Sequence, residues 1–264
     1  MYGKAWITLK PHFYATNTLQ LDAKAMNINK VEIIKGGKNI PLKYTYDSLL
    51  LTITLDKTYK NNEQYIVYID YVSKPNEYKS KGGSAAITDD KGLYFINPTG
   101  KEKDKPTQIW TQGETESNSV WVPTIDKPDQ KMTEEIYMTV PAKYVTLSNG
   151  KLISSTKNTD GTRTDYWKMD LPHSPYLMFM GVGEYAIVKD NYKGKEVSYY
   201  VEKEYEKVAR RIFGETPEMI KFYSEKVTGI DFPWQKYAQI VGRDYVSGAM
   251  ENTTATLHQE SAQQ

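Results

Sequence analysis

Apolar and polar positions alternate through much of residues 1–199. Leu49, Leu51, Ile53 and Leu55 fall on one side of a period-two pattern, with Leu50, Thr52 and Thr54 on the other, so a strand with one richer apolar face is expected there. Lys4–Lys10, Val31–Lys35, Leu42–Tyr46 and Tyr65–Val72 read as further strands, with Gly36-Gly37-Lys38-Asn39 as a turn. Residues 74–92 are polar and Gly-rich and read as a long loop. Leu93–Ile96 and Gln108–Thr111 read as short strands, and the charge run Lys101–Lys105 between them as a solvated loop. Prolines in Trp121–Pro128 exclude regular structure. Glu135–Val140, Tyr166–Leu171, Leu177–Lys189 and Glu196–Val201 complete a β-rich portion. Tyr144–Ser148 and Lys151–Ser155 flank Asn149-Gly150 and read as a hairpin, because Asn-Gly tolerates the positive φ that a type I′ turn needs at both positions.

The period changes near residue 202. Tyr205, Val208, Ala209 and Ile212 share one face of an expected helix over Glu204–Phe213, stopped by Gly214. Thr216 is expected as an N-cap, with Pro217 at the first helical position and Met219, Ile220, Tyr223 and Val227 following at helical spacing up to Gly229. Tyr237–Val241 is a short apolar run with β-branched and aromatic residues and reads as a strand. After the turn-like Gly242-Arg243-Asp244 comes a second extended stretch, Gly248-Ala249-Met250-Glu251-Asn252. Two units are expected: a β-rich domain over 1–199, then two helices and two strands over 200–264. The second is too short for a complete catalytic domain, so a fragment of a longer sequence is expected.

Composition narrows the function classes. Of the 264 residues, 39% are hydrophobic and 25% charged, which suits a packed core rather than disorder. A net charge of +1 argues against a nucleic-acid surface. No stretch approaches the roughly 18 apolar residues of a membrane span, and Met1–Trp6 has no long apolar run of a secretory signal. Without Cys there are neither disulfides nor thiolate metal sites. The 22 Tyr against 6 Phe suit half-buried strand surfaces with hydroxyls in water.

Candidate chemistry gathers in two places. In Gly248–Asn252 a glycine lets another backbone come close, and Glu251 follows small residues as a carboxylate beside a strand edge. That pairing suits a site that binds an extended peptide through its main chain and holds one charged end. The string Gly-Ala-Met-Glu-Asn resembles the exopeptidase signature of the aminopeptidase N family, the gluzincin zinc aminopeptidases. Far upstream, Thr111-Gln112-Gly113-Glu114-Thr115-Glu116 resembles the Gln-x-Glu segment with which that family lines the substrate's amino end. Trp121–Pro128 is similar to the segment that follows it, and Pro172–Gly183 to a late strand of the family's β domain. Asn252-Thr253-Thr254 is also a glycosylation sequon, read here as coincidence.

The resemblance implies a mainly β N-terminal domain of saddle-like antiparallel sheets, followed by the truncated α+β start of a thermolysin-like catalytic domain. It makes Glu251 the main carboxylate to a peptide's α-ammonium, with Gln112 and Glu114 completing the cage. Gly248, Ala249 and Met250 would offer main-chain groups to an extended substrate, and Met250 could serve either a side-chain pocket or the core. The zinc motif of the family, H-E-x-x-H, needs two His one turn apart on a helix. His12, His173 and His258 are each followed by neither Glu nor a second His four residues on, so zinc is expected in the full-length enzyme and none is expected in this fragment, which ends ahead of that motif. The parent would be a hydrolase removing N-terminal residues from peptides that have a free N-terminus, and the piece alone is expected to be inactive. A non-catalytic β-sandwich module binding protein or glycan through its Tyr-rich surface, and an inactive pseudopeptidase, are the alternatives. A Cys-free, Tyr- and Lys-rich β domain suits a bacterial periplasmic or envelope enzyme with its signal removed, and a cytoplasmic location stays open.

Overall fold

The computed structural model describes residues 1–79, 87 and 89–264; of the loop expected over 74–92, residues 80–86 and 88 lie outside the described residues. The strands begin with β1 (Tyr2–Leu9), β2 (Thr16–Asp22), β3 (Met26–Lys35), β4 (Lys38–Pro41), β5 (Lys43–Tyr46), β6 (Leu50–Tyr59) and β7 (Tyr65–Ser73). They form two antiparallel sheets, ordered β1-β7-β3-β4 and β2-β6-β5. One apolar cluster draws on both: Leu19, Leu21, Val31, Ile33, Leu51, Ile53, Val67 and Ile69 are all buried. The period-two pattern explains this, since alternate side chains of each strand meet the opposing sheet.

Next come β8 (Leu93–Ile96), β9 (Gln108–Thr111), β10 (Met132–Pro141), β11 (Val145–Ser148), β12 (Lys151–Lys157), β13 (Thr162–His173) and β14 (Met180–Gly183). They make two more antiparallel sheets, β11-β14-β9-β8 and β10-β13-β12. The last strands are β15 (Tyr185–Tyr192), β16 (Lys195–Glu202), β17 (Lys236–Gly242), β18 (Ala249–Met250) and β19 (Ala255–Gln259). These join in one mixed sheet, ordered β15-β16-β17-β19-β18, in which β16, β17 and β19 are parallel. Its Ile240, Met250, Ala255 and Leu257 share a core with Trp110, Leu147 and Trp167 of the two preceding sheets and with Phe179, which leads into β14. Its other face packs Val197, Tyr199, Val201 and Val241 against Ala209 and Phe213. Mostly antiparallel sheets followed by a short helical segment and a mixed sheet match the expected fold class.

Several expectations need correction. The hairpin at 144–155 does not form: β11 pairs with β14 and β12 with β13, in different sheets. Only Gly150 takes a positive φ there, +70°. Asn149 turns inward instead, its side chain donating to the carbonyls of Leu177 (2.8 Å) and Thr253 (2.6 Å) and accepting from the Phe179 amide (2.6 Å). A dipeptide suited to a tight turn is used to cross between layers, because its amide satisfies three buried backbone groups. Leu177–Lys189 is likewise split, into a 3₁₀ turn and two strands that belong to different sheets.

The helices are shorter than the period suggests. They are α1 (Ala209–Phe213) and α2 (Thr216–Phe222), with a π-helical turn at Tyr223–Thr228. Thr216 is no N-cap: its hydroxyl bonds the Phe213 carbonyl (2.7 Å) and Gln239 Oε1 (2.8 Å), tying the helix to β17. Of the expected apolar stripe only Ile220 packs on the sheet, while Met219, Tyr223 and Val227 are 53%, 61% and 58% exposed. The strand β2 was not expected, since among Thr16–Asp22 only Leu19 and Leu21 are apolar; both are buried.

Two outcomes test this packing. A Cβ on Gly150 would lie 1.8 Å from the Lys168 carbonyl oxygen, and φ there is positive, so Gly150→Ala is expected to lower unfolding free energy by about 2 kcal/mol or more in urea. His258 on β19 lies against Phe213 with ring centroids 5.6 Å apart, and burial lowers its pKa from 6.5. The unfolded chain therefore takes up this proton first on acidification. His258's contribution is intact above pH 6.5 and is lost as pH falls below it. Urea unfolding from pH 7.5 down to pH 5 is expected to show this loss, and His258→Gln to reduce it.

Candidate functional site

Strand β9 delivers the first half of the site. Trp110, wholly buried, stacks on Tyr94 at 4.0 Å and meets Tyr245 edge-on at 5.4 Å. After Thr111 the chain leaves the sheet. The Gln112 amide donates to the Gly92 carbonyl (2.9 Å), and that of Ser117 to Gly113 (2.8 Å). Gly113 has no room for a side chain: a Cβ would lie 2.1 Å from the Tyr176 carbonyl oxygen and 2.4 Å from Asn118 Nδ2. That close approach seats the loop against residues 175–178, where Asn118 Nδ2 donates to the carbonyls of Pro175 (2.7 Å) and Met178 (3.1 Å). Trp121 Nε1 in turn donates to Asn118 Oδ1 (2.6 Å), so the loop rests on a buried polar frame.

The second half comes from the mixed sheet. Trp110 Nε1 donates to the Arg243 carbonyl (3.0 Å), and the Arg243 amide donates to Gln108 Oε1 (2.9 Å). The Arg243 guanidinium holds Glu202 through two bonds of 2.6 and 2.7 Å. These contacts lock the turn after β17 to the start of β9. Chain then returns as β18, which pairs with β19 through Ala249–His258 and Met250–Leu257 and forms the edge of its sheet.

The two halves meet at Gln112. Its side chain is wholly buried, accepts from the Tyr245 hydroxyl (2.6 Å) and donates to Met250 Sδ (3.3 Å). So Gln112 and Met250, 138 positions apart, touch. Met250 is 1% exposed and belongs to the core cluster. Glu114 is partly exposed, Glu251 exposed, and neither carboxylate has an ion-pair or hydrogen-bond partner among the described residues. Tyr176 and Tyr245 both lie within the field of these two carboxylates. Burial raises the pKa of each phenol, and both carboxylates push it further. Glu116 is different: its carboxylate pairs with Lys127 at 2.7 Å, which makes it a surface acid. Gly248 and Ala249 are exposed, with open space where a Gly248 side chain would stand. Asn252 is 1% exposed, so its sequon amide is turned away from solvent.

Tyr176 lies in the family-like stretch Pro172–Gly183 and Tyr245 in no motif, and neither was singled out as a site residue; contact with Gln112 and Gly113 reveals them. No group of three or more His, Asp and Glu side chains among the described residues is arranged to hold a metal ion. His173 lies beside Thr253 and His258 beside Gln239, each buried at a different point. The His, Asp and Glu side chains among the described residues therefore do not fit a zinc ion.

A β domain joined to a sheet-edge acid by a buried glutamine is thus the class that fold and site define. Residues 1–177 match the Peptidase M1 N-terminal domain, and the chain belongs to that family. Over 255 residues it is 23% identical to endoplasmic reticulum aminopeptidase 1 of Rattus norvegicus, covering 94% of this chain and 26% of that protein. Over 254 residues it is 28% identical to the puromycin-sensitive aminopeptidase of Caenorhabditis elegans, covering 94% and 25%. The fold is also that of Legionella pneumophila aminopeptidase A, solved in complex with aspartic acid, with a TM-score of 0.78, 19% identity, and 98% of this chain against 28% of that one. The chain spans about a quarter of the length of these relatives, which are named as aminopeptidases and so as hydrolases.

The bridge can be measured by a double-mutant cycle. Gln112→Leu removes the acceptor for the Tyr245 hydroxyl, and either Gln112→Leu or Tyr245→Phe is expected to cost about 1–3 kcal/mol of stability. The double variant is expected to cost clearly less than the sum, by at least about 0.5 kcal/mol in urea unfolding.

Proposed function

We propose that this chain is the substrate-anchoring part of a zinc aminopeptidase that removes N-terminal residues from peptides. Glu251 and Glu114 would receive the α-ammonium of the substrate; Gln112, expected in the same cage, is wholly buried with its oxygen on Tyr245 and its nitrogen on Met250, and would instead hold the two segments in register. The observation that supports this reading is the Gln112–Met250 contact, together with the influence of both unpaired carboxylates on the Tyr245 and Tyr176 phenols. An α-amine with a pKa of about 7.7–8.0 is mostly protonated at neutral pH, and each charge-assisted bond to it contributes about 1.5–3 kcal/mol. A peptide lacking a free end would leave those carboxylates unmatched, which accounts for exopeptidase action.

Gly248, Ala249 and Met250 supply a free strand edge for an extended substrate in the same reading. The edge is short and its outer side is open, so a peptide can add as a further strand beside β18. The zinc-binding residues and the hydrolytic step belong, in this proposal, to sequence outside these 264 residues. We place the change from the N-terminal domain to the catalytic portion at residues 199–200, near the change from period two to a helical period, although β16 (Lys195–Glu202) runs across that point.

Calorimetry with L-alaninamide and N-acetyl-L-alaninamide tests the anchor. The free amine is expected to bind and the acetylated form to bind at least about tenfold more weakly, and Glu251→Gln is expected to reduce amine binding by about tenfold or more. Equal binding of the two ligands would remove the amine-anchoring role. Assayed with added zinc and an aminoacyl chromogenic substrate, the chain is expected to show no turnover; turnover matching a full-length enzyme would refute the division of labour.

A further inference from the structure

Directly behind Glu251 lies a buried polar cluster that the anchoring reading does not use. Lys236 opens β17 and is 3% exposed. Its ammonium donates to the carbonyls of Ser148 (2.8 Å) and Thr254 (2.8 Å) and to Thr254 Oγ1 (3.1 Å). Each N–H has one acceptor, and no carboxylate is bonded to it. Thr254 is held in the left-handed region, φ +66°, which a β-branched residue rarely adopts unaided. Its hydroxyl also accepts from the Gly150 amide (2.8 Å), and Asn149 Nδ2 holds the neighbouring Thr253 carbonyl (2.6 Å). His173 Nδ1 lies 3.1 Å from Thr253 Oγ1. Three elements thus grip residues 253–254 from behind, while Glu251 itself has no such tie.

We propose that Lys236 is a positioning residue for Glu251: by clamping Thr254 to Ser148, its ammonium fixes the turn from which the Glu251 carboxylate projects. This rests on the amine-anchoring reading above. An apolar chain of equal length would take the Lys236 donor from the Ser148 carbonyl and leave the Thr254 carbonyl and hydroxyl with only the Ala238 (2.9 Å) and Gly150 (2.8 Å) amides. The charge is supported only from a distance. Glu134 on β10 and Glu196 on β16 favour the ammonium through space, and the Trp167 ring lies 5.3 Å away. Glu134 is itself buried, with both oxygens unbonded and Oε1 3.8 Å from His173 Nε2 on β13. Burial outweighs these carboxylates and brings Lys236 down to a pKa of about 7. A neutral amine has two N–H groups for three acceptors, so the clamp loosens as pH rises through neutrality.

The test uses the whole 264-residue chain and n-propylamine, an alkylammonium that keeps its proton to about pH 9 and so does not titrate alongside the protein. Affinity is followed by NMR from pH 6 to pH 9. Wild type is expected to weaken about fivefold, the effect of one lost hydrogen bond, with its midpoint at about pH 7. Lys236→Met is expected to bind weakly throughout, with a flat profile. Glu134→Gln is expected to shift the midpoint to lower pH, because a carboxylate that favours the ammonium has gone; a purely structural role for Lys236 would not move that midpoint. A flat wild-type profile, or a Lys236→Met profile identical to wild type, overturns the inference and leaves the amine anchor standing. If Lys236→Met does not fold, the wild-type and Glu134→Gln profiles decide the matter alone. Wild type that binds no propylamine at any pH overturns the anchor itself, and this inference with it.

Discussion

A buried primary amide has to find partners for its oxygen and nitrogen, and Gln112 finds them on the far side of the chain. Left unbonded in the core, that amide would cost several times what one surface hydrogen bond gains. Its oxygen takes the Tyr245 hydroxyl and its nitrogen takes the Met250 sulfur. The loop after β9 and the edge of the mixed sheet are therefore held together by the need to satisfy a polar group, not by apolar packing alone. Apolar burial brings Trp110 against Tyr245 and Gly242; the amide then selects the register in which they meet.

The same arrangement settles which acids remain free. Positive side chains around the site are already engaged: Arg243 with Glu202, Lys127 with Glu116, Lys105 with Asp244, and Lys24 with the Glu116 carbonyl. Glu114 and Glu251 are left without a cation. Both carboxylates act on the Tyr176 and Tyr245 phenols, and under the proposed function they would favour an incoming ammonium. The buried ammonium of Lys236 is pointed at carbonyls instead.

Much of the fold was legible in the chain because alternate burial leaves a period of two, as at Leu51 and Ile53, and because short apolar runs such as Gln108–Thr111 and Tyr237–Val241 are bounded by turn residues. What was not legible follows from contacts distant in sequence. Asn149-Gly150 carries hairpin chemistry, yet the partner of each flanking strand lies elsewhere, and no local signal says so. Thr216 has the look of a cap, but its hydroxyl is claimed by Gln239. Of the site, Gln112, Glu114 and Glu251 stood out through their resemblance to known motifs, whereas Tyr176 and Tyr245 became visible only from the packing. The Gln-x-Glu spacing picked out Glu114 over Glu116, and the ion pair of Glu116 with Lys127 agrees with that choice.

The parallel pairings of the mixed sheet impose an order on biosynthesis. Every strand of the first four sheets has emerged by residue 183, but the partners of Gln112 lie at 245 and 250. On a ribosome the upstream domain can collapse while its central glutamine still faces water, and the site closes only when β17, β18 and β19 arrive. A nascent chain stalled before residue 245 would thus carry a half-built socket in which the Gln112 amide still has water for its partner.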